Sequence, residues 1–353
     1  MNCEAAIPLD ALAAADPRGR TAPDLFAPAR LGSLRLRNRL VMSPMQQYQG
    51  AADARATAHH VHHYARRARG GVGLVMVEST AVAPEGRLFG DDIGLYSDAH
   101  VAPLRAVVDA VHAEGAAIAV QLSHGGRKSF RGTGPLLAPS AIAFDAGYGT
   151  PQAMSQAQID AAVAAYGRAT RYALQAGFDA IELHAAHGFL VHQFLSPIGN
   201  RRDDRYGGSA RNRGRFLREA FAAIRRAAGP DYPLLVRVSG SDFDPQGLAP
   251  EDVAELLRPL RELGLQAVDV SAGGISPAVP YGIGVEYQVP FAATIRRALA
   301  VPTIAVGLIR GAERAQAILD AGHADFIAIG RPLLERPDYA EDLRRARGGR
   351  AAS

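Results

Sequence analysis

Residues 178–190 read Phe178-Asp179-Ala180-Ile181-Glu182-Leu183-His184-Ala185-Ala186-His187-Gly188-Phe189-Leu190. The first half is a short apolar run of the kind that forms a strand buried on both faces, and the second half begins where such a strand ends. Two imidazoles three residues apart at that point are either satisfied core histidines or paired hydrogen-bond donors at the mouth of a barrel. The stretch alone does not separate the two; its surroundings do. Seven further runs of the same character follow from residue 40 onward: Leu40–Ser43, Leu74–Glu78, Ala117–Leu122, Leu234–Val238, Ala267–Ser271, Thr303–Val306 and Phe326–Ile329, with Ala180–His184 fourth in order. Helical periodicity lies between them, as in Val101, Leu104, Val107, Val108 and Val111. A Ser155–Gln158 capping box opens one helix, and Pro250 followed by Glu251 and Asp252 opens another. Eight strands, each followed by a helix, predict an α/β fold of the TIM (β/α)8 type. A doubly wound open sheet is the runner-up, but it lacks the Gly-x-Gly-x-x-Gly turn after its first strand. The run Leu31 to Arg39 alternates with period two around a turn and predicts a hairpin capping the N-terminal end of the barrel.

The chain has 353 residues, 48% of them hydrophobic, enough for one large core. We expect a poorly ordered extension over 1–24, a single barrel over 25–348 and a tail over 349–353. No apolar run reaches the length of a membrane span, and Met1 to Pro23 lacks the basic start and apolar core of a signal peptide. A soluble, cytoplasmic protein with no membrane partner is the expectation. Cys3, the one cysteine, leaves no internal disulfide, cysteine zinc site or iron–sulfur cluster. The net charge of +4 is scattered rather than gathered in a stripe, which argues against a nucleic-acid partner. Lys128 is the sole lysine among many arginines.

Groups at the C-terminal ends of strands in such a barrel converge on one site. Strand one ends at Ser43-Pro44-Met45-Gln46-Gln47-Tyr48 and strand two at Glu78-Ser79-Thr80. Strand three ends at Gln121, followed closely by Arg127 and Lys128, while strand four gives His184 and His187. Strand five gives Arg237, strand seven Gly307, and strand eight Gly330-Arg331. Glycines after the last two strands let backbone amides approach a phosphate, and Arg331 can fork onto it. A buried Arg237 needs an anionic or carbonyl-rich partner. Gln121 suits the pyrimidine edge of a flavin. A planar, electron-rich ligand with a phosphate tail, such as FMN, meets all these demands; a sugar phosphate bound without flavin is the alternative.

Ser43-Pro44-Met45, Gln121, His184-x-x-His187-Gly188, Phe194-Leu195-Ser196-Pro197, Arg205-Tyr206-Gly207-Gly208-Ser209, Asn212-Arg213, Arg237-Val238-Ser239 and Ile329-Gly330-Arg331 together resemble the old yellow enzyme family. The opening Ser-Pro-Met and the Ala-Phe-Asp segment at Ala143–Asp145 resemble its thermophilic-like bacterial subclass. The resemblance implies an FMN-dependent oxidoreductase, driven by NADPH or NADH, that reduces the C=C bond of α,β-unsaturated carbonyl compounds. It implies that Ser43, Pro44, Met45, Ser79 and Gln121 line the flavin, that Arg237 lies near its N1 and C2 carbonyl, and that Gly307, Gly330 and Arg331 hold the phosphate. It further implies that His184 and His187 hold the substrate carbonyl while Tyr48 shapes the pocket, and that the protein is a homo-oligomer, dimer or tetramer.

The chain departs from that pattern at two points. Phe189 stands where family members usually carry the tyrosine that protonates the substrate's α-carbon, and a phenyl ring has no proton to give. Three readings stay open: water or another tyrosine supplies the proton, the reaction runs backwards as a dehydrogenation or aromatisation driven by oxygen, or the substrate is protonated elsewhere. The rival function they suggest is an FMN-dependent desaturase or isomerase of a biosynthetic intermediate. A non-catalytic barrel that binds flavin or phosphate is the reading from another class. Gln46 replaces the subclass's cysteine beneath the flavin, where its amide can still hydrogen-bond the ring. The end of the chain has no recognisable equivalent of the arginine tail that the subclass offers to a neighbouring subunit. Phe189 and Lys128 remain substrate-pocket candidates. The histidines of Ala58–His63 lack a metalloprotease glutamate and are read without metal. Asp203, Asp204 and Arg205 read as a loop ion-pair cluster, and Glu182 as an arginine's structural partner turned away from the two histidines.

Overall fold

The computed structural model describes residues 23–277 and 284–348. Cys3, all but the last two residues of the expected extension over 1–24, and the tail over 349–353 lie outside the described residues. The predicted hairpin forms from β1 (Ala29–Leu31) and β2 (Leu34–Leu36), antiparallel with Leu31 opposite Leu34. Gly32 makes the turn at φ +59°, and a side chain there would also collide with Gln266. Among the described residues, eight strands then run parallel: β3 (Leu40–Met42), β4 (Leu74–Ala81) and β5 (Ala117–Ser123), followed after a two-stranded aside of β6 (Leu137–Ala138) and β7 (Gln152–Ala153) by β8 (Ala180–Ala185), β9 (Leu234–Ser239), β10 (Ala267–Ser271), β11 (Thr303–Ala305) and β12 (Phe326–Ile329). Pairing of β12 with β3 closes the ring into a barrel, as the run of apolar segments predicts.

Two apolar compartments follow from the period-two alternation of the strands. Inward residues Val41, Leu74, Met76, Ala119, Ala180, Leu235, Ala267, Ile304 and Phe326 fill the barrel, and Ala29, Leu31 and Leu36 of the hairpin join that same cluster. Several of these open their strands, so the hairpin stoppers the end where the strands begin. Outward residues such as Val75, Val77, Ile118, Val120, Ile181 and Leu183 pack against helical residues including Leu104, Val107, Val111, Ile159, Phe216 and Phe221. The capping box behaves as predicted: Ser155 Oγ accepts from the Gln158 amide at 3.3 Å, Gln158 Oε1 accepts from the Ser155 amide at 2.8 Å, and a helix runs over Gln156–Ala176. Pro250 likewise opens the helix Pro250–Leu257.

One expectation is corrected here. Residues 180, 182 and 184 share a face of β8, so Glu182 points into the barrel on the side of His184 rather than away from it. It is fully buried and accepts a hydrogen bond from Gln121 Nε2 at 2.8 Å. An opposite-facing assignment would need an odd spacing between the two residues.

Candidate active site

The catalytic candidates gather where β8, β9 and β10 end. His184 lies beside Arg237 in the β8–β9 register, and Ser239 pairs with Ser271 between β9 and β10. Just past β8 the chain turns sharply: His187 takes φ 57° and Gly188 φ 72°. Only glycine fits at 188, because a Cβ would lie 2.0 Å from the Gly274 carbonyl oxygen. Ser239 Oγ fixes this turn, accepting from the His187 amide at 3.0 Å and donating to the Gly273 carbonyl at 2.7 Å.

A chain of hydrogen bonds sets the protons on the two imidazoles. The Ala186 amide donates to His184 Nδ1 at 3.2 Å, which leaves the ring proton on Nε2. That nitrogen lies 3.3 Å from His187 Nδ1, and His187 Nε2 lies 2.7 Å from Ser271 Oγ. The Ser271 hydroxyl can donate as well as accept, so it can pair with His187 Nε2 in either ring tautomer. Burial first, then the adjacent His187, Arg237, His192 and Lys128, keeps His184 well below the usual imidazole range. Burial, then Arg237, His192 and Lys128, does so for His187. Both rings are therefore neutral N–H donors.

Beside them opens a cleft of about 310 Å³, lined by Ser43, Pro44, Met45, Arg237, Gly307, Gly330 and Arg331. These are seven of the ten positions assigned to the cofactor from sequence. Their state tests the fit of a flavin mononucleotide. Arg237 is 6% exposed, and its Nε faces Asp269 Oδ2 at 3.4 Å without closing a hydrogen bond. Ser43 Oγ is buried and equally unpartnered. Such orphaned donors are costly unless an acceptor-rich group completes them. At the far end, Gly307 (φ +115°) and Leu308 (φ 58°) line the cleft between Arg310 and Arg331. Acceptors wanted at one end and an anion at the other suit FMN.

The remaining candidates sit as follows. Ser79 and Gln121 are register neighbours on β4 and β5, and Gln121 keeps its carbonyl oxygen free of Glu182. Burial, then Asp269, pushes the Glu182 carboxyl up to about 8, with Arg237 opposing them. The Gln46 amide donates to Asp92, whose carboxyl burial raises to about 7. Tyr48 is 49% exposed at the rim, edge-on to Phe89 at 4.9 Å. Phe189 packs 4.7 Å from His184 and 6.4 Å from His187 between ring centroids. Lys128 Nζ donates to the carbonyls of His187 at 3.0 Å and Gly274 at 3.3 Å.

Sequence reading missed Ser271, Asp269 and Arg310. The strand-end rule that found the others also covers the end of β10 and would have given Ser271. Asp269 declares itself only through its cross-strand partner Arg237. Elsewhere, His60 on the helix Ala58–Arg69 bonds Glu78 at 2.8 Å, and no group of three or more metal-ligating side chains converges among the described residues. The loop charges pair as Arg202 with Asp204 and Arg205 with Glu219.

Residues 24–349 match the NADH:flavin oxidoreductase / NADH oxidase family. The chain belongs to that family. Among relatives of this flavin oxidoreductase, an NADPH dehydrogenase of Geobacillus thermodenitrificans is 45% identical over 314 residues, 89% of this chain and 91% of the relative. Morphinone reductase superposes with a TM-score of 0.79 at 32% identity, over 92% of this chain and 90% of its own. The old yellow enzyme homologue of Zymomonas mobilis does so with a TM-score of 0.81 at 30% identity, over 93% of both chains. The resemblance to old yellow enzymes and the TIM barrel drawn from sequence are thereby borne out, and the protein is an FMN-dependent oxidoreductase. No helix among the described residues is long and apolar enough to cross a membrane.

Proposed function

We propose that this one-barrel flavoenzyme uses NADPH or NADH to reduce the C=C bond of α,β-unsaturated carbonyl compounds. The observation that carries the reading is the neutral His184–His187 pair, held beside the Arg237 cleft with Ser271 Oγ against His187 Nε2. Bound FMN supplies a hydride donor that the nicotinamide recharges. The chain supplies everything around it. His184 presents Nε2–H, and His187 presents Nδ1–H once Ser271 donates to Nε2, so a carbonyl oxygen that displaces the bond between the rings gains two neutral donors. Each good donor stabilises a developing enolate by on the order of 3 kcal/mol. Ser43, Pro44, Met45, Gln46, Ser79 and Gln121 are assigned to the flavin ring, Arg237 to its electron-rich edge, and Gly307, Gly330 and Arg331 to its phosphate. Tyr48 closes the pocket at the rim. A homo-oligomer in the cytoplasm belongs to the same proposal, reduced nicotinamide being a cytosolic reductant.

Phe189 favours a second reading, a desaturase or isomerase, because its ring occupies the pocket wall without an acidic proton. Anaerobic mixing separates the two. The reductase reading expects NADPH or NADH to bleach the yellow holoenzyme rapidly and 2-cyclohexenone to restore the colour. Sluggish bleaching by nicotinamide, alongside bleaching by saturated ketones, would overturn it in favour of the desaturase.

A further inference from the structure

Reduction of a conjugated carbonyl compound adds a hydride at the β-carbon and leaves the π-electron pair on the α-carbon, which then needs a proton. Few groups near the two histidines can give one. His184 and His187 are already neutral, and a neutral imidazole N–H is far too weak an acid. Phe189 has no acidic proton. Tyr48 stands at the rim, half exposed, and burial raises its phenol above the ordinary value. Lys128 is different in kind. Its Nζ is anchored by the carbonyls of His187 and Gly274, lies 5.4 Å from the centre of the Phe189 ring, and sits over the Phe144 ring at 4.2 Å. Among the described residues two carbonyls accept two of its three protons, and the Phe144 and Phe189 rings face the ammonium.

We propose that Lys128 is the general acid that protonates the substrate's α-carbon. The proposal rests on the ene-reductase reading above. The atoms balance: hydride from the reduced cofactor forms the β C–H bond, the π pair takes a proton from Lys128 Nζ to form the α C–H bond, and the resulting amine recovers its proton from water. The surroundings tune the group for this task. Burial lowers the ammonium to about 8, with Arg127 adding to the drop and Asp145 opposing it. From β8 and the turn after it the neutral His184 and His187 face it, and among the described residues of the loop after β10 the Gly274 carbonyl does. An acid with a value near the working pH transfers protons most effectively. The same anchors hold the ammonium just beyond the ring where a phenol would otherwise supply the proton.

Because Lys128 is the sole lysine, the holoenzyme grown with lysine labelled at Nζ and Cε has one side-chain lysine signal by NMR. The proposal expects that signal to titrate near pH 8; a midpoint above 10 would overturn it. Reoxidation of the pre-reduced holoenzyme by 2-cyclohexenone should slow as pH rises through 8, because the ammonium form is then lost. In Lys128→Met and Lys128→Arg the enone rate should fall about 10²-fold and that alkaline limb should vanish. The ratio of enone to quinone reduction should drop at least tenfold, since quinone oxygens need no proton on carbon. Equal losses for both acceptors would make Lys128 a merely positioning residue and overturn the proposal. Wild-type enzyme that reduces quinones but no enone would instead overturn the ene-reductase reading, and this inference with it.

Discussion

Ser271 shows how much of the chemistry rests on one hydroxyl. It stands 2.7 Å from His187 Nε2 and can hold either ring tautomer by accepting from or donating to that nitrogen. We expect Ser271→Ala to leave His187 without that partner. Phenols, which take the place of the carbonyl oxygen between the two rings, should then bind about tenfold more weakly, the worth of one hydrogen bond near 1.4 kcal/mol. The long-wavelength band formed by phenol with the bound flavin reads this affinity directly; an unchanged dissociation constant would show that His187 fixes its proton by another route. At this scale the sequence was legible wherever a residue announced itself by position. His184, His187, Arg237, Gly307 and Arg331 all stand at strand ends. Ser271 does too, but a serine there carries no charge to draw the eye. Glu182 was misplaced because its two-residue spacing from His184 puts both on one face, a rule of strand geometry that overrides the intuition of separating a carboxylate from imidazoles.

Among elements, the β1–β2 hairpin has the plainest job. Leu31 and Leu36 seal the inner apolar compartment against the first residues of the barrel strands. Leu31→Ala should cost about 2–5 kcal/mol, the toll of removing a fully buried leucine and leaving a void. Chemical denaturation of the variant measures the loss, and a change under 1 kcal/mol would mean the hairpin merely rests on the barrel. The hairpin, the capped helix at Gln156 and the eight strands were readable because each obeys a local rule: alternation, a capping pair, or an apolar run of strand length. Strand limits shifted by a few residues, most on β4, which runs to Ala81 with a register shift between Val77 and Ser79. Such an irregularity answers to the neighbouring strand and leaves no trace in composition. The pairs Arg37 with Val72 and Arg296 with Asp325, which tie distant elements, were likewise invisible, since long-range contacts have no signature in spacing.

For the molecule as a whole, buried titratable groups of both kinds give stability a dependence on pH. His63 and His124 are lowered by burial to about 3 and about 4, and His184 and His187 fall well below the usual range. Between about pH 4.5 and 6.5 the unfolded chain therefore binds protons that these rings refuse, so stability rises with pH. Asp92 and Glu182 act in the opposite sense, held up at about 7 and about 8. The folded protein keeps their protons after the unfolded carboxyls have released them, so this contribution fades as pH climbs toward 8. Below 6.5 the lowered imidazoles, which also include His59, His100 and His323, outnumber the raised carboxyls, which also include Glu78 and Asp269. Between 6.5 and 8 the carboxyls dominate, Lys128 acting mainly above about 8. The denaturation midpoint should accordingly be higher near pH 6.5 than at pH 5 or pH 8. A steady climb from 5 to 8 would show that the two carboxyls are not protonated in the folded state.

The two ends of the cylinder are closed by different means. One is corked by a stretch of the protein's own backbone, and the other is ringed by connecting segments that carry the reactive side chains. Architecture and reactivity are thus housed at opposite poles, so descendants of this chain can redraw the rim, trading one acid for another or admitting a bulkier guest, while the base from which the staves rise stays as it is.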